Sequence, residues 1–166
     1  MPRTRKQTPV TSDNPIIAGP RGPADRLYRA ATECVRQRQR YSALVENGTM
    51  EEEQDAALQL ASTCDGLLLS AIGAYETAPS VGVAKEEEWY RKAVMLWQAS
   101  REYQRRHSGV DLKSRRMSAH TPEQLKDLAM EYDLEASALL ALQHAVASYK
   151  KCVPEAHIEA TSSRLH

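Results

Sequence analysis

The chain has 166 residues with 22 basic and 22 acidic side chains, so its formal net charge at pH 7 is zero; it has three cysteines and no phenylalanine. The length fits a single domain, and the balanced charge argues against a protein that binds polyanions over its whole surface. Cys34, Cys64 and Cys152 are far apart and form no C-x-x-C motif, so neither a disulfide scaffold nor a zinc site is indicated.

The sequence also indicates in which cellular compartment the protein is found. No apolar run approaches the roughly 18 residues of a membrane span, and the N-terminal residues contain no secretory signal. We therefore expect a soluble, cytoplasmic protein with reduced thiols, no membrane span, no cofactor and no metal.

Both ends of the chain are predicted to be loose tails. Residues 1–22 are basic and proline-rich with few apolar side chains, a composition that cannot bury enough surface to offset the entropy of ordering. We predict a disordered N-terminal tail there, a folded domain over 23–153 and a flexible C-terminal tail over 154–166.

The first two predicted helices are joined by a short turn. The first, at about 23–47, begins near Pro23 and ends before Gly48, a natural C-cap. The second, at about 50–77, follows Thr49 and Glu52, whose spacing predicts a capping box. Apolar residues three and four apart mark the core face of each helix. These positions are Leu27, Ala30, Cys34, Tyr41 and Leu44 in the first helix and Met50, Ala57, Ala61, Cys64, Leu68, Ala71 and Tyr75 in the second.

The third and fourth predicted helices also carry end signals. The third, at about 84–107, has acids at its start and bases at its end, matching the helix dipole, and Ser108-Gly109 is read as its stop. The fourth, at about 122–152, follows Thr121 and Gln124, which predict a second capping box. The core faces are Trp89, Ala93, Leu96, Ser100 and Tyr103, widened by Tyr90, Val94 and Trp97, and then Leu125, Leu128, Tyr132, Leu139, Leu142, Val146 and Tyr149.

Four such helices with short or medium connections predict an all-α, antiparallel up-down four-helix bundle. Charge supports this fold: residues 1–45 carry nine bases and three acids (+6), 46–88 one and ten (−9), 89–120 eight and two (+6), and 121–166 four and seven (−3). Helices adjacent in the chain therefore attract, while diagonal helices repel. Residues 27–41 also resemble 89–103, which is compatible with a duplicated hairpin or with chance.

Motifs for chemistry are weak. A di-metal bundle needs paired E-x-x-H motifs, whereas this chain offers one H-x-x-E, at His120–Glu123. His144 lacks the lysine and glycine that follow the histidine of phosphotransfer bundles, and no nucleotide-binding or nucleophile motif occurs. The cysteines lie on or near apolar stripes, where thiols are usually inert. We predict a protein that is not an enzyme.

Tryptophan and tyrosine supply the large side chains of a chain without phenylalanine. We expect Trp97, Tyr41, Tyr132 and Tyr149 in the core. Trp89 follows three glutamates at a helix start, so we expect it to be exposed and name it as the aromatic candidate for a partner contact.

Residues 101–120 concentrate positive charge. The candidate partner-binding residues here are Arg101, Arg105, Arg106, Lys113, Arg115 and Arg116. Such a cluster could neutralise phosphates, bind a protein partner, or simply stabilise a helix end through the dipole. The segment lacks an aromatic platform or glycine-rich motif for nucleic acid.

The function that the sequence favours is a non-catalytic interaction protein: an adaptor, assembly factor or chaperone-like bundle that binds another macromolecule. One alternative is a nucleic-acid-associated protein that uses the basic segment and the first helix; another is a bundle that binds a small ligand. Heptad seams of this length can also continue across a homodimer.

Overall fold

The computed structural model describes residues 21–78, 87–116 and 121–153, and four long helices account for almost all of them. Helix α1 spans Gly22–Glu46, α2 Glu51–Thr77, α3 Glu88–Arg116 and α4 Pro122–Lys150. The predicted all-α four-helix bundle is confirmed. The predicted tails lie outside the described residues, except for Arg21 and Gly22 of the N-terminal tail. Arg21 is half-buried and donates a hydrogen bond to the Cys152 carbonyl at 2.6 Å, and Gly22 is buried in the first turn of α1.

Side-chain contacts place each helix antiparallel to its neighbours. Tyr149, near the end of α4, donates a hydrogen bond to Asp25, near the start of α1, at 2.7 Å. Lys92, near the start of α3, contacts Ser148 near the end of α4 at 2.8 Å. The bundle therefore has a terminal end, where α1 and α3 begin and α2 and α4 end. At its hairpin end lie residues 47–50, the end of α3 and the start of α4.

The helix ends test the predicted signals one by one. Thr121 and Gln124 form the predicted capping box, and Gly48 follows α1 with φ 63°, a backbone conformation that suits glycine. The box predicted at Thr49 is wrong: the α2 N-cap is Met50, and the Thr49 hydroxyl instead donates to the Leu44 carbonyl at 2.9 Å.

Helix α3 is longer than predicted. It does not stop at His107 but continues through Ser108 and Gly109 to Arg116. Val110, on the core face beyond the supposed stop, is 5% exposed. Burial of this face offsets the low helix propensity of glycine, which as a single interior residue costs about 1 kcal/mol.

The continuous hydrophobic core occupies the terminal half of the bundle. It ends at the level of Cys64, Tyr103 and Ala138, and beyond it Ala57, Ala61 and Val110 are the remaining buried apolar side chains of the described chain. The largest fully buried side chains lie within this core: Leu27, Cys34, Leu68, Leu96, Ser100, Tyr103, Leu142 and Tyr149.

Apolar rows that begin at the core become exposed in the hairpin half. On α1 the buried face of Leu27 and Cys34 leads to Val45, which is 45% exposed. On α4 the row that holds half-buried Leu139 leads to Tyr132 and Leu125, which are 51% and 48% exposed.

Two predicted core positions on α4, Tyr132 and Leu125, are therefore wrong. A row of residues seven apart drifts around a straight helix by about 20° per heptad, which carries this row away from the core. Met50, also predicted in the core, is 66% exposed. Tyr149 is fully buried as predicted, while Tyr41 and Trp97 are half-buried.

Ion pairs between helices join segments of opposite charge, in agreement with the charge pattern. Arg38 of α1 pairs with Asp65 of α2. Arg101 of α3 lies 3.4 Å from Glu76 of α2. Lys113 of α3 lies 2.7 Å from Glu131 of α4.

Candidate functional site

A layer of polar side chains crosses the bundle where the continuous core ends. It draws on all four helices, and we call it the polar layer; its members are Cys34, Arg38, Asp65, Tyr103, His107 and Glu135. No sequence motif announces this group, because its members are scattered over a hundred residues.

Asp65 is the centre of the polar layer. Its side chain is 8% exposed and pairs with the guanidinium of Arg38, whose side chain is 13% exposed. Asp65 Oδ1 also accepts hydrogen bonds from the Tyr103 hydroxyl at 3.0 Å and from the Cys34 thiol at 3.1 Å. The buried carboxylate thus has the positive partner and the donors that a charge needs away from water.

His107 extends the polar layer to α4. Its Nδ1 lies 2.7 Å from Glu135 Oε1, and its Nε2 lies 3.3 Å from Asp65 Oδ2. The ring stacks on Tyr103 with centroids 5.8 Å apart. Because a carboxylate only accepts hydrogen bonds, Nδ1 donates to Glu135, and this contact ties α3 to α4.

The polar layer does not have the geometry of a cysteine nucleophile. Asp65 lies between the Cys34 thiol, which it contacts through Oδ1, and the His107 ring, which it faces through Oδ2. A catalytic pair would instead bring the thiol against its base. Burial, followed by the Asp65 carboxylate, raises the pKa of the Cys34 thiol well above its ordinary value. The thiol therefore stays protonated and unreactive at neutral pH.

The rate of alkylation should distinguish the half-buried cysteine from the two buried ones. With iodoacetamide at pH 8, we expect half-buried Cys152 to be modified in the folded protein, while buried Cys34 and Cys64 are modified only after unfolding in denaturant. Site-resolved mass spectrometry over time measures the three rates. Equal rates at Cys34 and Cys152 in the folded protein would contradict this placement of the thiol.

Within the described ranges, no group of three or more histidine, cysteine, aspartate or glutamate side chains is arranged to hold a metal ion. The positive charge beside Asp65 belongs to Arg38.

The basic candidates on the outer face of α3 are engaged by neighbouring acids. Arg105 binds Glu102 through two nitrogens at 2.8 and 3.0 Å, and Arg106 Nε reaches the same carboxylate at 2.8 Å. Hydrogen bonds from both guanidinium groups lower the pKa of Glu102 to about 2. Arg101 lies over the Trp97 ring at 5.4 Å and beside Glu76.

The basic candidates beyond His107 continue along α3 rather than along a connecting loop. Lys113 pairs with Glu131, and Arg115 Nε lies 3.2 Å from Asp111. Arg116 is exposed in the last turn, beside the hairpin end. The charge of the segment is therefore distributed along an exposed helix face and partly neutralised there.

Trp89 lies at the other end of the molecule from these residues. It is half-buried against the core rather than exposed, because the ring packs at the terminal end of the bundle. Its indole N–H donates to Glu87, and the Arg21 guanidinium lies 5.3 Å from the ring centroid. The structure therefore does not bring Trp89 together with the basic candidates.

Apart from Met95 and Leu140, the exposed large apolar side chains of the described residues form two groups that the sequence did not separate. The hairpin-end group consists of Val45, Met50, Leu112, Leu125, Met130, Tyr132 and Leu134. A second group, on α2, consists of Leu58, Leu60, Leu67 and Leu69. The heptad pattern assigned core positions but gave no signal for where the helix faces cease to be covered.

Within the hairpin-end group, Val45 continues the buried face of α1, and Leu125 and Tyr132 continue the half-buried row of Leu139 on α4. We call these three side chains the hairpin-end groove.

A scan against protein-family models finds no match for this chain, and searches of curated proteins and of solved structures find none either.

Proposed function

We propose that the protein is a non-catalytic interaction bundle whose hairpin-end groove binds an amphipathic helix of a partner protein. The observation that carries the proposal is the exposure of apolar rows at the hairpin end: Val45 is 45% exposed on the face of fully buried Leu27, while Tyr132 and Leu125 are 51% and 48% exposed on the row of half-buried Leu139. Large apolar side chains exposed together at one end of a bundle are typical of interaction sites.

The chemistry of the groove favours a helical partner. Its walls are helices, whose backbone groups are already hydrogen-bonded within each helix, so an extended strand would find no backbone partner there. Side chains must supply the affinity, and an apolar helix face presents them at the spacing of three and four residues that a groove between helices accepts. Tyr132 is the natural anchor, since tyrosine is enriched among residues that dominate binding energy.

The alternative of nucleic-acid binding receives less support from the basic side chains. Arg101, Arg105, Arg106, Lys113 and Arg115 each have an acidic neighbour within 3.4 Å. A phosphate would have to compete with those carboxylates. The raised pKa of the Cys34 thiol argues only against a cysteine nucleophile in the polar layer.

A photo-crosslinking amino acid in place of Tyr132 tests the proposal. We expect it to capture one partner protein from nuclease-treated lysate of the source organism, and a second substitution, Leu125→Asp, should abolish that capture because it introduces a carboxylate into the groove. The matched control places the same crosslinker at Leu140, which is 53% exposed on α4 but outside the groove.

The outcomes separate clearly. Capture at position 132 that is absent at position 140 and maps to a helical segment of the partner supports the proposal. Equal capture at both positions, or capture that nuclease removes, would reject it.

A further inference from the structure

The outer surface of α2 is uncharged over five turns. From Ala56 to Tyr75, Asp65 is the one charged residue, and it points into the polar layer. Leu67 and Leu69 are each 59% exposed, and Leu60 and Leu58 are 41% and 36% exposed. Leu58 and Leu69 lie on one edge of this surface and Leu60 and Leu67 on the opposite edge, with exposed small and uncharged polar residues between them. We call these four leucines, with the strip between them, the α2 outer face.

The composition of α2 is that of a helix covered on all sides. By length and composition, it is the one helix among the described residues that could cross a membrane, although core helices of soluble proteins pass the same test. Yet only 33% of its most apolar window is buried in this chain. A single bundle therefore leaves most of this apolar surface without a partner.

Two glycines lie on this exposed surface. A Cβ atom added to Gly66 or Gly73 would meet no atom within 4 Å, so packing inside the bundle does not require glycine at either position. Glycine is unfavourable in a helix interior compared with alanine. Because glycine has no side chain, it allows the backbone of another helix to approach this surface closely from outside the bundle.

Charge at the two ends of the α2 outer face identifies the occupant. At the hairpin end α2 begins with exposed Glu51, Glu52 and Glu53, followed by Asp55. At the terminal end α2 carries one exposed acid, Glu76, and the neighbouring helices supply exposed arginines. These are Arg26 in the first turns of α1 and Arg101 of α3, which is held beside Glu76 in the last turn of α2.

We propose that the α2 outer face pairs with the same face of a second copy of this chain, with the two α2 helices antiparallel about a two-fold axis near Gly66. A two-fold interface must be complementary to itself. In this arrangement the uncharged middle meets the uncharged middle. The acids at the start of α2 approach the end of the partner's α2, where Glu76 is already paired with Arg101 and Arg26 adds a second positive charge. A parallel arrangement would place acids against acids.

The axis follows from the position of the uncharged stretch, whose midpoint lies between Asp65 and Gly66. The proposal is independent of the hairpin-end groove, because Leu67 and Leu69 lie outside it. Either can fail alone.

Sedimentation velocity over a concentration series tests the dimer. We expect a reversible dimer for the full chain, and the double substitution Leu67→Glu/Leu69→Glu should raise the dimer Kd by about 100-fold or more, because carboxylates would enter an apolar interface. Both leucines are more than half exposed, so the fold should persist in circular dichroism. Gly66→Glu provides a second variant, which raises helix propensity while blocking the approach of the partner helix.

The matched control is Leu140→Glu, at a leucine of similar exposure on α4, and it should leave the dimer unchanged. A wild-type chain that is monomeric at all concentrations would overturn the proposal, as would a dimer that survives the α2 substitutions. Monomers that sediment with phosphatidylcholine vesicles would overturn it in favour of a lipid surface.

One introduced cysteine at a time tests the orientation, in a Cys152→Ser background that removes the half-buried native thiol and leaves only the buried Cys34 and Cys64. Gly66→Cys lies beside the proposed axis, so oxidation should join the introduced thiol to its equivalent in the other copy. Gly73→Cys should not join to itself, because seven residues on each side of the axis separate the two thiols by about 21 Å along the helices. A disulfide at both positions would indicate parallel helices and contradict the two-fold arrangement.

Discussion

Replacement of Asp65 with alanine is expected to lower the free energy of unfolding by about 3–5 kcal/mol, the largest effect that we predict for a single residue. The substitution leaves the Arg38 guanidinium buried without its carboxylate, and it removes the acceptor of the Tyr103 hydroxyl and the Cys34 thiol. Leaving one buried charge unpaired lowers the free energy of unfolding far more than replacing both members of the ion pair by apolar residues does.

Urea denaturation followed by circular dichroism measures this loss. The matched control is Asp133→Ala, an exposed aspartate on α4, which should change stability by less than about 0.5 kcal/mol. Combining Asp65→Leu with Arg38→Met removes both charges and should recover much of the stability. A loss below about 1 kcal/mol for Asp65→Ala would show that Arg38 does not depend on this carboxylate.

Truncation of Leu142 to alanine should cost about 2–5 kcal/mol. Leu142 is fully buried in the core of the terminal half, so the substitution loses apolar burial and leaves a cavity that the surrounding helices fill only in part. This loss is a large share of the free energy of unfolding of a typical domain, which is roughly 5–15 kcal/mol.

Leu140, two residues earlier on the same helix, is the natural control. It is 53% exposed, so Leu140→Ala should lie within about 0.5 kcal/mol of the wild type. The two variants have the same chemical change and nearly the same position, and differ only in the face of α4 that they occupy. Similar losses in urea denaturation would contradict the burial of the Leu142 face.

The terminal half of the bundle was predictable from the sequence. Leu27, Leu68 and Leu96 follow the spacing of three and four residues, and each is fully buried. The capping box predicted at Thr121 is confirmed. The capping box predicted at Thr49 is wrong, because the Thr49 hydroxyl donates its hydrogen bond to the Leu44 carbonyl instead.

The hairpin half was less predictable, because periodicity shows which face of a helix is apolar and not whether another helix covers it. Tyr132 and Leu125 continue an apolar row, yet Glu135, which binds His107, takes the inward position at this level. The end of α3 was misplaced for a related reason: tertiary burial of Val110 overrides the local signal of Ser108-Gly109.

The polar layer could not have been assembled from the sequence, since spacing within a helix does not reveal which residues meet across helices. One signal did exist. Asp65 is the one charge among twenty residues of α2 and lies next to Cys64 of the predicted core face, so it required a buried partner. The sequence offered no means of choosing Arg38 for that role.

The order of folding follows from the contacts described above. Each hairpin joins helices that are adjacent in the chain, whereas the hydrogen bond between Tyr149 and Asp25 closes a separation of 124 residues. The entropic cost of closing a loop grows with its length, so the hairpins should form before they dock. The pair of Arg38 and Asp65 lies within the first hairpin, whereas the hydrogen bond from Tyr103 to Asp65 joins the second hairpin to it, so the polar layer can be completed only at docking. It should therefore influence the rate of unfolding more than the rate at which the hairpins first form.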